Sequence, residues 1–259
     1  MDGRAILEHL LYRDRLIVAV GTAVVAALAW AYLADGAGMD VEMMAEMPDM
    51  APMPWTLRSA ALLFAMWWVM MIAMMTPSAG PVILLYATIR HKHDTASGAA
   101  IDAWIFLAGY LVTWAVFSLA AVLAQWALER FGLLSMAMAS TSTLLAGGIL
   151  IAAGLYQFTP LKRACLRFCE SPLLFLSRHW RSGAHGALRM GLRHGSYCVG
   201  CCWFLMVLLF VGGAMNLVWV AGIGLYVAAE KLLPFGRRLS HAAGAALVVS
   251  GMIVLARAT

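Results

Sequence analysis

Long apolar runs constrain the fold of this chain more than any other feature of its sequence. The runs from Leu16 to Leu33, from Leu57 to Ile89 and from Ile101 to Trp126 reach the length of about 20 residues that a helix needs to cross a hydrocarbon core. The chain is also 63% hydrophobic and only 12% charged, whereas a soluble domain has about 25% charged residues. The sequence therefore predicts an integral membrane protein.

The predicted fold is all-α: a polytopic transmembrane helical bundle of about seven spans, forming a single integral membrane domain over residues 1–259. Turn residues and polar segments place the spans at about residues 16–34, 58–76, 101–126, 141–159, 196–213, 215–232 and 239–257. A cleaved signal peptide is the alternative interpretation of the first run. Against it, the charged region before the run is long and no clear cleavage site follows.

The run from Leu57 to Ile89 needs a break, because as one straight helix it would be about 48 Å long against a hydrocarbon core of about 30 Å. Pro77 and Pro81 are expected to supply that break, leaving a span at 58–76 and a second piece at 82–89. A basic segment at residues 160–195 follows the fourth span, and we expect an interfacial helix there at about residues 184–194.

The distribution of Lys and Arg predicts the orientation. With a cytosolic N-terminus, only Arg58, Arg130 and Arg257 of the 18 basic residues fall on the outer side, and cytosolic loops carry the excess of Lys and Arg in membrane proteins. The same orientation puts all five cysteines at or near the cytosolic side, where thiols stay reduced, so disulfide bonds are not expected.

A methionine-rich outer loop spans residues 35–57. Between Met39 and Pro54 it interleaves four acidic residues with six methionines and three prolines. The methionines are Met39, Met43, Met44, Met47, Met50 and Met53. Thioethers in an exposed, proline-interrupted segment indicate capture of a soft metal ion, and a disordered linker is the alternative interpretation.

The densest cluster of candidate ligands is a cysteine motif at the start of the fifth span. Cys198, Cys201 and Cys202 stand at positions i, i+3 and i+4, so a helix presents all three thiols on one face, and Gly200 leaves room for another helix or an ion. Cys165 and Cys169 repeat the i, i+4 spacing. The alternative for all five is that they pack as small hydrophobic residues.

Methionines in the second span are further candidate ligands, chiefly Met66, Met70, Met74 and Met75, with Met71 beside them. Counted from Arg58, Met66 should lie near the midplane of the membrane, and Met74 and Met75 near the cytosolic end, at the depth expected for Cys201 and Cys202. Thiolate and thioether ligands together select soft ions, above all Cu(I). Soft filling of the core is the alternative for these methionines.

Four segments resemble the signature blocks of a bacterial family of predicted metal-binding integral membrane proteins, a domain of unknown function. These segments are Met66 to Pro77, Leu161 to Pro172, Cys198 to Trp219 and Glu230 to Pro234. The resemblance covers about residues 55–240, and its most specific part is the Cys-x-x-Cys-Cys-Trp block. It implies metal binding through these Cys and Met positions in a bacterial inner membrane, with no established reaction.

Two charged residues near the end of the sixth span have two interpretations. In the first interpretation, Glu230 and Lys231 form a pair whose side chains extend to the membrane interface. In the second, Glu230 supports a metal site or takes part in proton transfer. The basic residues between Lys162 and Arg193 are expected to be anchors at the lipid surface.

These features predict a membrane protein that binds Cu(I) for transport, delivery or storage. The alternatives are an assembly or scaffold partner of a metalloenzyme and, less favoured, a membrane redox enzyme that uses thiols or haem. We do not expect an enzyme: the sequence has no Cys-x-x-Cys-His motif and no histidine deep in a predicted span. It also has no P-loop, so ATP-driven pumping would need another chain. Expected partners are the lipid bilayer and a metallochaperone or metalloenzyme subunit. Nucleic acid is not expected, because no basic run is interleaved with stacking aromatic residues.

Overall fold

The computed structural model describes residues 3–36, 55–93, 98–135 and 138–257, and within these ranges the protein is all-α with no β-strand. In chain order, the helices are α1 (Gly3–Ala34), α2 (Leu57–His93), α3 (Ala99–Arg130), α4 (Thr143–Tyr156), α5 (Pro160–Glu170), α6 (Pro172–His179), α7 (Gly183–Val207), α8 (Leu209–Gly212), α9 (Leu217–Leu232) and α10 (Gly236–Ala256). The predicted fold class is confirmed.

Local sequence explains where several of these helices begin. In four cases the side chain of the preceding residue accepts a hydrogen bond from a backbone N–H in the first turn, which satisfies a donor that the helix leaves unpaired. These residues are Ser142, Thr159, Ser171 and Asn216. Proline follows Thr159 and Ser171 at a position where its missing N–H is not needed.

The predicted break in the second apolar run is wrong, because α2 continues through both Pro77 and Pro81. A proline inside a helix leaves the carbonyl four residues earlier without its usual donor. For Pro77 that carbonyl belongs to Ala73, and the indole of Trp30 on α1 donates to it at 3.1 Å. A neighbouring helix thus supplies the missing hydrogen bond, which is how proline is tolerated in tightly packed helices.

The helix of the cysteine motif also differs from the expectation. α7 begins at Gly183, so residues 184–194 form its first half and not a separate interfacial helix. The motif therefore lies in the second half of a helix of 25 residues. This places the cysteines well inside the bundle.

Five of the described helices are long and apolar enough to cross a membrane, or six if α4 and α5, which bend by 65° at their junction, together form one crossing. This is fewer than the seven spans expected, because α9 has only 16 residues and α4 only 14. The predicted apolar character of the bundle holds.

Glycines bring two pairs of helices into close contact. A Cβ at Gly191 of α7 would collide with the Phe106 carbonyl of α3, and a Cβ at Gly109 would collide with the Leu188 carbonyl of α7. Likewise, a Cβ at Gly154 of α4 would lie 2.7 Å from the carbonyl of Gly244 on α10. Small residues at such positions allow the backbones to approach, as in helix packing within membranes. The α3–α7 contact holds the cysteine motif against the centre of the bundle.

Candidate metal centre

The three cysteines of α7 share one buried face, as their spacing predicts. Cys198, Cys201 and Cys202 are each at most 1% exposed. The thiols of Cys201 and Cys202 donate to the carbonyl of Cys198 at 3.1 and 2.9 Å, as positions three and four residues further along a helix allow. All the cysteines are free thiols.

Two of these thiols meet a sulfur atom from another helix. Cys201 Sγ lies 3.8 Å from Cys169 Sγ of α5, and Cys202 Sγ lies 4.0 Å from Met75 Sδ of α2. Two sulfurs bound to one tetrahedral ion, with metal–sulfur bonds of about 2.3 Å, stand about 3.8 Å apart. The separation in each pair is therefore compatible with two ligands of one soft metal ion.

The third thiol is in contact with polar groups. Lys231 of α9 donates to Cys198 Sγ at 2.9 Å, and the Tyr110 hydroxyl of α3 lies 3.0 Å from the same sulfur. The Lys231 ammonium also lies 3.3 Å from Ser78 Oγ and 3.9 Å from Met75 Sδ. Accepting a hydrogen bond from an ammonium is the role of a thiolate, which is the form of cysteine that binds metals.

A buried ion pair lies beside this centre. Lys162 Nζ is 2.7 Å from Glu230 Oε1, with side chains 1% and 0% exposed, and Tyr226 donates to the same carboxylate at 3.2 Å. The expectation that Glu230 and Lys231 reach the membrane interface is wrong, since both are buried. Lys162, expected at the lipid surface, is also buried. Because Lys162 neutralises Glu230, the charge of Lys231 is directed at the sulfur atoms.

Gly200 provides the close approach that the sequence predicts. A Cβ on this residue would lie 2.7 Å from Cys165 Sγ, so α5 packs against α7 at this point. The Tyr156 hydroxyl donates to the Gly200 carbonyl. Cys165 is only half-buried. It lies at the edge of the centre, whereas Cys169 lies inside it.

Two contacts define how α2 faces the consecutive helices α7 and α8. The rings of Trp67 on α2 and Phe210 on α8 are 5.2 Å apart. Eight residues after Trp67, Met75 contacts Cys202, which lies eight residues before Phe210. The segment from Cys202 to Phe210, which runs from α7 into α8, is therefore antiparallel to the segment of α2 from Trp67 to Met75.

This register identifies two further sulfur residues. Met71 lies four residues before Met75 and Met206 lies four residues after Cys202, so each is midway between the two contacts on its own segment; both are 0% exposed. Neither is among the chief ligands predicted above. The i, i+4 spacing from Met75 and from Cys202 is the sequence signal for them, but only the facing of α2 and α7 gives that spacing a meaning.

The other predicted methionines of α2 follow a neighbouring face. Met66, Met70 and Met74 are all buried, and Met74 packs where Gly224 of α9 leaves space. The six predicted loop ligands lie outside the described residues; they are Met39, Met43, Met44, Met47, Met50 and Met53.

In the described part of the chain, no group of three or more His, Cys, Asp or Glu side chains is arranged to hold a metal ion. The sulfur atoms instead meet in pairs, one thiol with thiol and one thiol with thioether. Buried thiols and thioethers fit a soft ion such as Cu(I) and do not fit Mg²⁺ or Ca²⁺, which prefer oxygen ligands.

One comparison with known proteins gives a match. The model of a protein family described as PpoB2, copper chaperone, matches residues 64–254. The matched part includes α2 from Phe64 onwards and every residue of the sulfur centre, but it does not include the methionine-rich loop. No curated protein and no solved structure matches the chain.

Proposed function

This chain belongs to the PpoB2 copper chaperone family, and from that premise we propose that it is a membrane-embedded carrier that binds Cu(I) as cargo and delivers it through its sulfur centre. The observation that carries the proposal is the pairing of Cys201 with Cys169 and of Cys202 with Met75 in the buried core. Both separations suit two ligands of one soft ion.

Each part of the centre has a proposed role. Cys198, Cys201, Cys202 and Cys169 form the tight site. Cys165, half-buried at the edge, takes part in entry or exit. Met75 completes the ligand set from α2. Three other methionines of that helix, Met66, Met70 and Met74, form a buried thioether-rich wall past which the ion moves.

We propose that the protein spans the inner membrane of a bacterium seven times, with its N-terminus in the cytosol. The bias of Lys and Arg towards one set of loops supports this orientation. Exposed apolar residues along α3 support contact with lipid: Val112, Val116, Leu119 and Leu123 are 48–65% exposed and recur at helical spacing. In this topology α9, with 16 residues, is a short span that the bilayer accommodates by local thinning.

The methionine-rich loop is the proposed collecting segment on the outer side. Its thioethers and carboxylates would concentrate copper next to the start of α2. Thioether ligands suit that side because free thiols would be oxidised there. Delivery on the cytosolic side would be to a metallochaperone or a metalloenzyme subunit, in keeping with the description of the family as copper chaperones.

The second candidate is an assembly partner of a copper enzyme, which binds the metal only while that enzyme matures. The observation that favours it is the pairing of sulfurs two at a time, because such sites release an ion more readily than a closed set of ligands. In neither function does the protein act as an enzyme. A variant with the six loop methionines changed to Leu distinguishes the two functions. If the protein is a carrier, the variant no longer supports copper accumulation in cells; if it is an assembly partner, the copper enzyme stays active.

The test of the proposed function is the copper content of the full-length protein, purified anaerobically in detergent from copper-supplemented cells and measured by mass spectrometry. A variant with Cys198, Cys201 and Cys202 changed to Ser removes the tight site. Its matched control is the Met252→Leu variant, because Met252 is 51% exposed on α10, away from the centre.

The expected result is near-stoichiometric copper in the wild type and in the Met252→Leu control, with none in the triple variant. Equal copper content in the wild type and the triple variant would overturn the proposed site. A copper-free wild type would overturn the function itself.

A further inference from the structure

His194 is a buried histidine one helical turn before the cysteine motif. It lies four residues before Cys198 on α7 and is 3% exposed. Its Nδ1 atom is buried without a hydrogen-bond partner among the described residues. Buried ring nitrogens are normally hydrogen-bonded, so this one requires an explanation.

Aromatic rings surround His194. The ring centroid of Phe175 lies 4.8 Å away, that of Tyr110 5.8 Å away and that of Phe106 6.1 Å away. None of these rings offers an acceptor or donor that pairs with Nδ1. The aromatic surroundings exclude water and fix the ring, but they leave its nitrogen available.

Tyr110 connects His194 to the sulfur centre. Its ring packs against the imidazole, and its hydroxyl lies 3.0 Å from Cys198 Sγ. The spacing of four residues puts His194 and Cys198 on the same side of α7, about 6 Å apart along the helix axis. His194 is therefore the next possible soft ligand beyond the cysteines in the direction of Gly183.

We propose that His194 is an additional copper ligand, which takes Cu(I) from Cys198 through its Nδ1 atom. In this step a copper–sulfur bond breaks and a copper–nitrogen bond forms, and the ion stays Cu(I). Imidazole is a good copper ligand but a less soft one than thiolate. A weaker ligand after a tight site is what release requires.

The surroundings of His194 on the side away from Cys198 support a role in exit. Phe175 of α6 packs between His194 and His179, with ring centroids 4.8 and 5.1 Å from the two imidazoles. His179 is only half-buried and lies at the end of α6. His194 is thus the last fully buried nitrogen ligand along this line before the surface, and it is separated from the surface by one aromatic ring.

The alternative is that His194 only fills an aromatic pocket. The inference rests on the proposed function, since His194 would have no ion to receive if the cysteines bound none. The experiment must therefore report separately on binding by sulfur and on binding by nitrogen.

Full-length protein in detergent is loaded anaerobically with one equivalent of Cu(I) and studied by X-ray absorption at the copper edge. The rate of copper transfer to a water-soluble Cu(I) chelator is measured on the same samples. The variants are His194→Gln and His194→Met. The matched control is His185→Gln, because His185 is on the same helix but exposed.

We expect nitrogen and sulfur scattering in the wild type and the His185→Gln control, and sulfur scattering alone in His194→Gln, with transfer about tenfold slower. His194→Met keeps a soft ligand, so transfer is expected to recover while nitrogen scattering stays absent. That recovery also shows that the pocket still folds. Sulfur scattering alone in the wild type, or equal transfer rates in the wild type and His194→Gln, would overturn the role of His194 and leave the sulfur site standing. A wild type without bound copper would overturn both.

Discussion

Trp30 on α1 donates its indole N–H to the carbonyl of Ala73 on α2, at 3.1 Å, and this is the carbonyl that Pro77 leaves without a helical donor. The hydrogen bond explains how α2 passes through a proline without ending. It also fixes α1 against the stretch of α2 that carries Met75.

We predict that Trp30→Phe destabilises the protein by about 1 kcal/mol, because it leaves the buried Ala73 carbonyl unpaired. In a Pro77→Ala background the same change should cost less, since Ala at position 77 restores the helical donor. Unfolding of the four proteins of this cycle in mixed detergent measures the coupling. An equal cost in both backgrounds would show that the hydrogen bond does not compensate for Pro77.

The contact between Met75 and Cys202 gives a second prediction. Met75→Leu keeps the volume of the side chain but removes the thioether, so we expect Cu(I) affinity to fall about tenfold, or about 1.4 kcal/mol. Competition with a chromogenic Cu(I) chelator measures it. Met252→Leu, on the exposed face of α10, should bind like the wild type. Unchanged affinity in Met75→Leu would remove α2 from the ligand set.

The buried pair of Lys162 and Glu230 gives a third prediction. Lys162→Met leaves the Glu230 carboxylate buried and unpaired, so we expect a loss of about 3–5 kcal/mol in the free energy of unfolding. Adding Glu230→Gln removes the orphaned charge and should restore most of the loss. Thermal unfolding of the purified variants tests this. If the double variant is as unstable as Lys162→Met, the single variant fails for lack of packing and not because of charge.

A fourth prediction concerns the contact between Gly200 and Cys165. A Cβ at position 200 would lie 2.7 Å from Cys165 Sγ, so Gly200→Ala should destabilise the protein by about 1–3 kcal/mol through overpacking. Cys165→Ala removes the sulfur and should reduce that cost when the two changes are combined. Additive effects in thermal unfolding would mean that α5 does not press on α7 at this point.

Much of the fold follows from sequence alone. Apolar runs of spanning length predict an all-α bundle, and the fixed angle between residues on a helix predicts that Cys198, Cys201 and Cys202 share a face. Gly200 marks a close approach for the same local reason. These features depend on one helix at a time, so no knowledge of the neighbouring helices is needed.

The errors in the sequence-based predictions have a different origin. Pro77 alone predicts a break, and Lys162 and Glu230 alone predict groups at the membrane interface. Each expectation fails because a partner from a distant part of the chain satisfies the polar group inside the bundle: Trp30 for the carbonyl before Pro77, and Glu230 for Lys162. Local sequence cannot identify such partners.

The sequence by itself therefore determined the all-α class, the apolar bundle and the sulfur-rich faces of α2 and α7, because helical periodicity is a local property. Only the tertiary structure decided which faces meet. The antiparallel run of α2 against α7 and α8 brings Met75 to Cys202, and the packing of α3 and α6 around α7 encloses His194. Those relationships depend on how the helices pack against one another, which the spacing of residues along one helix does not specify.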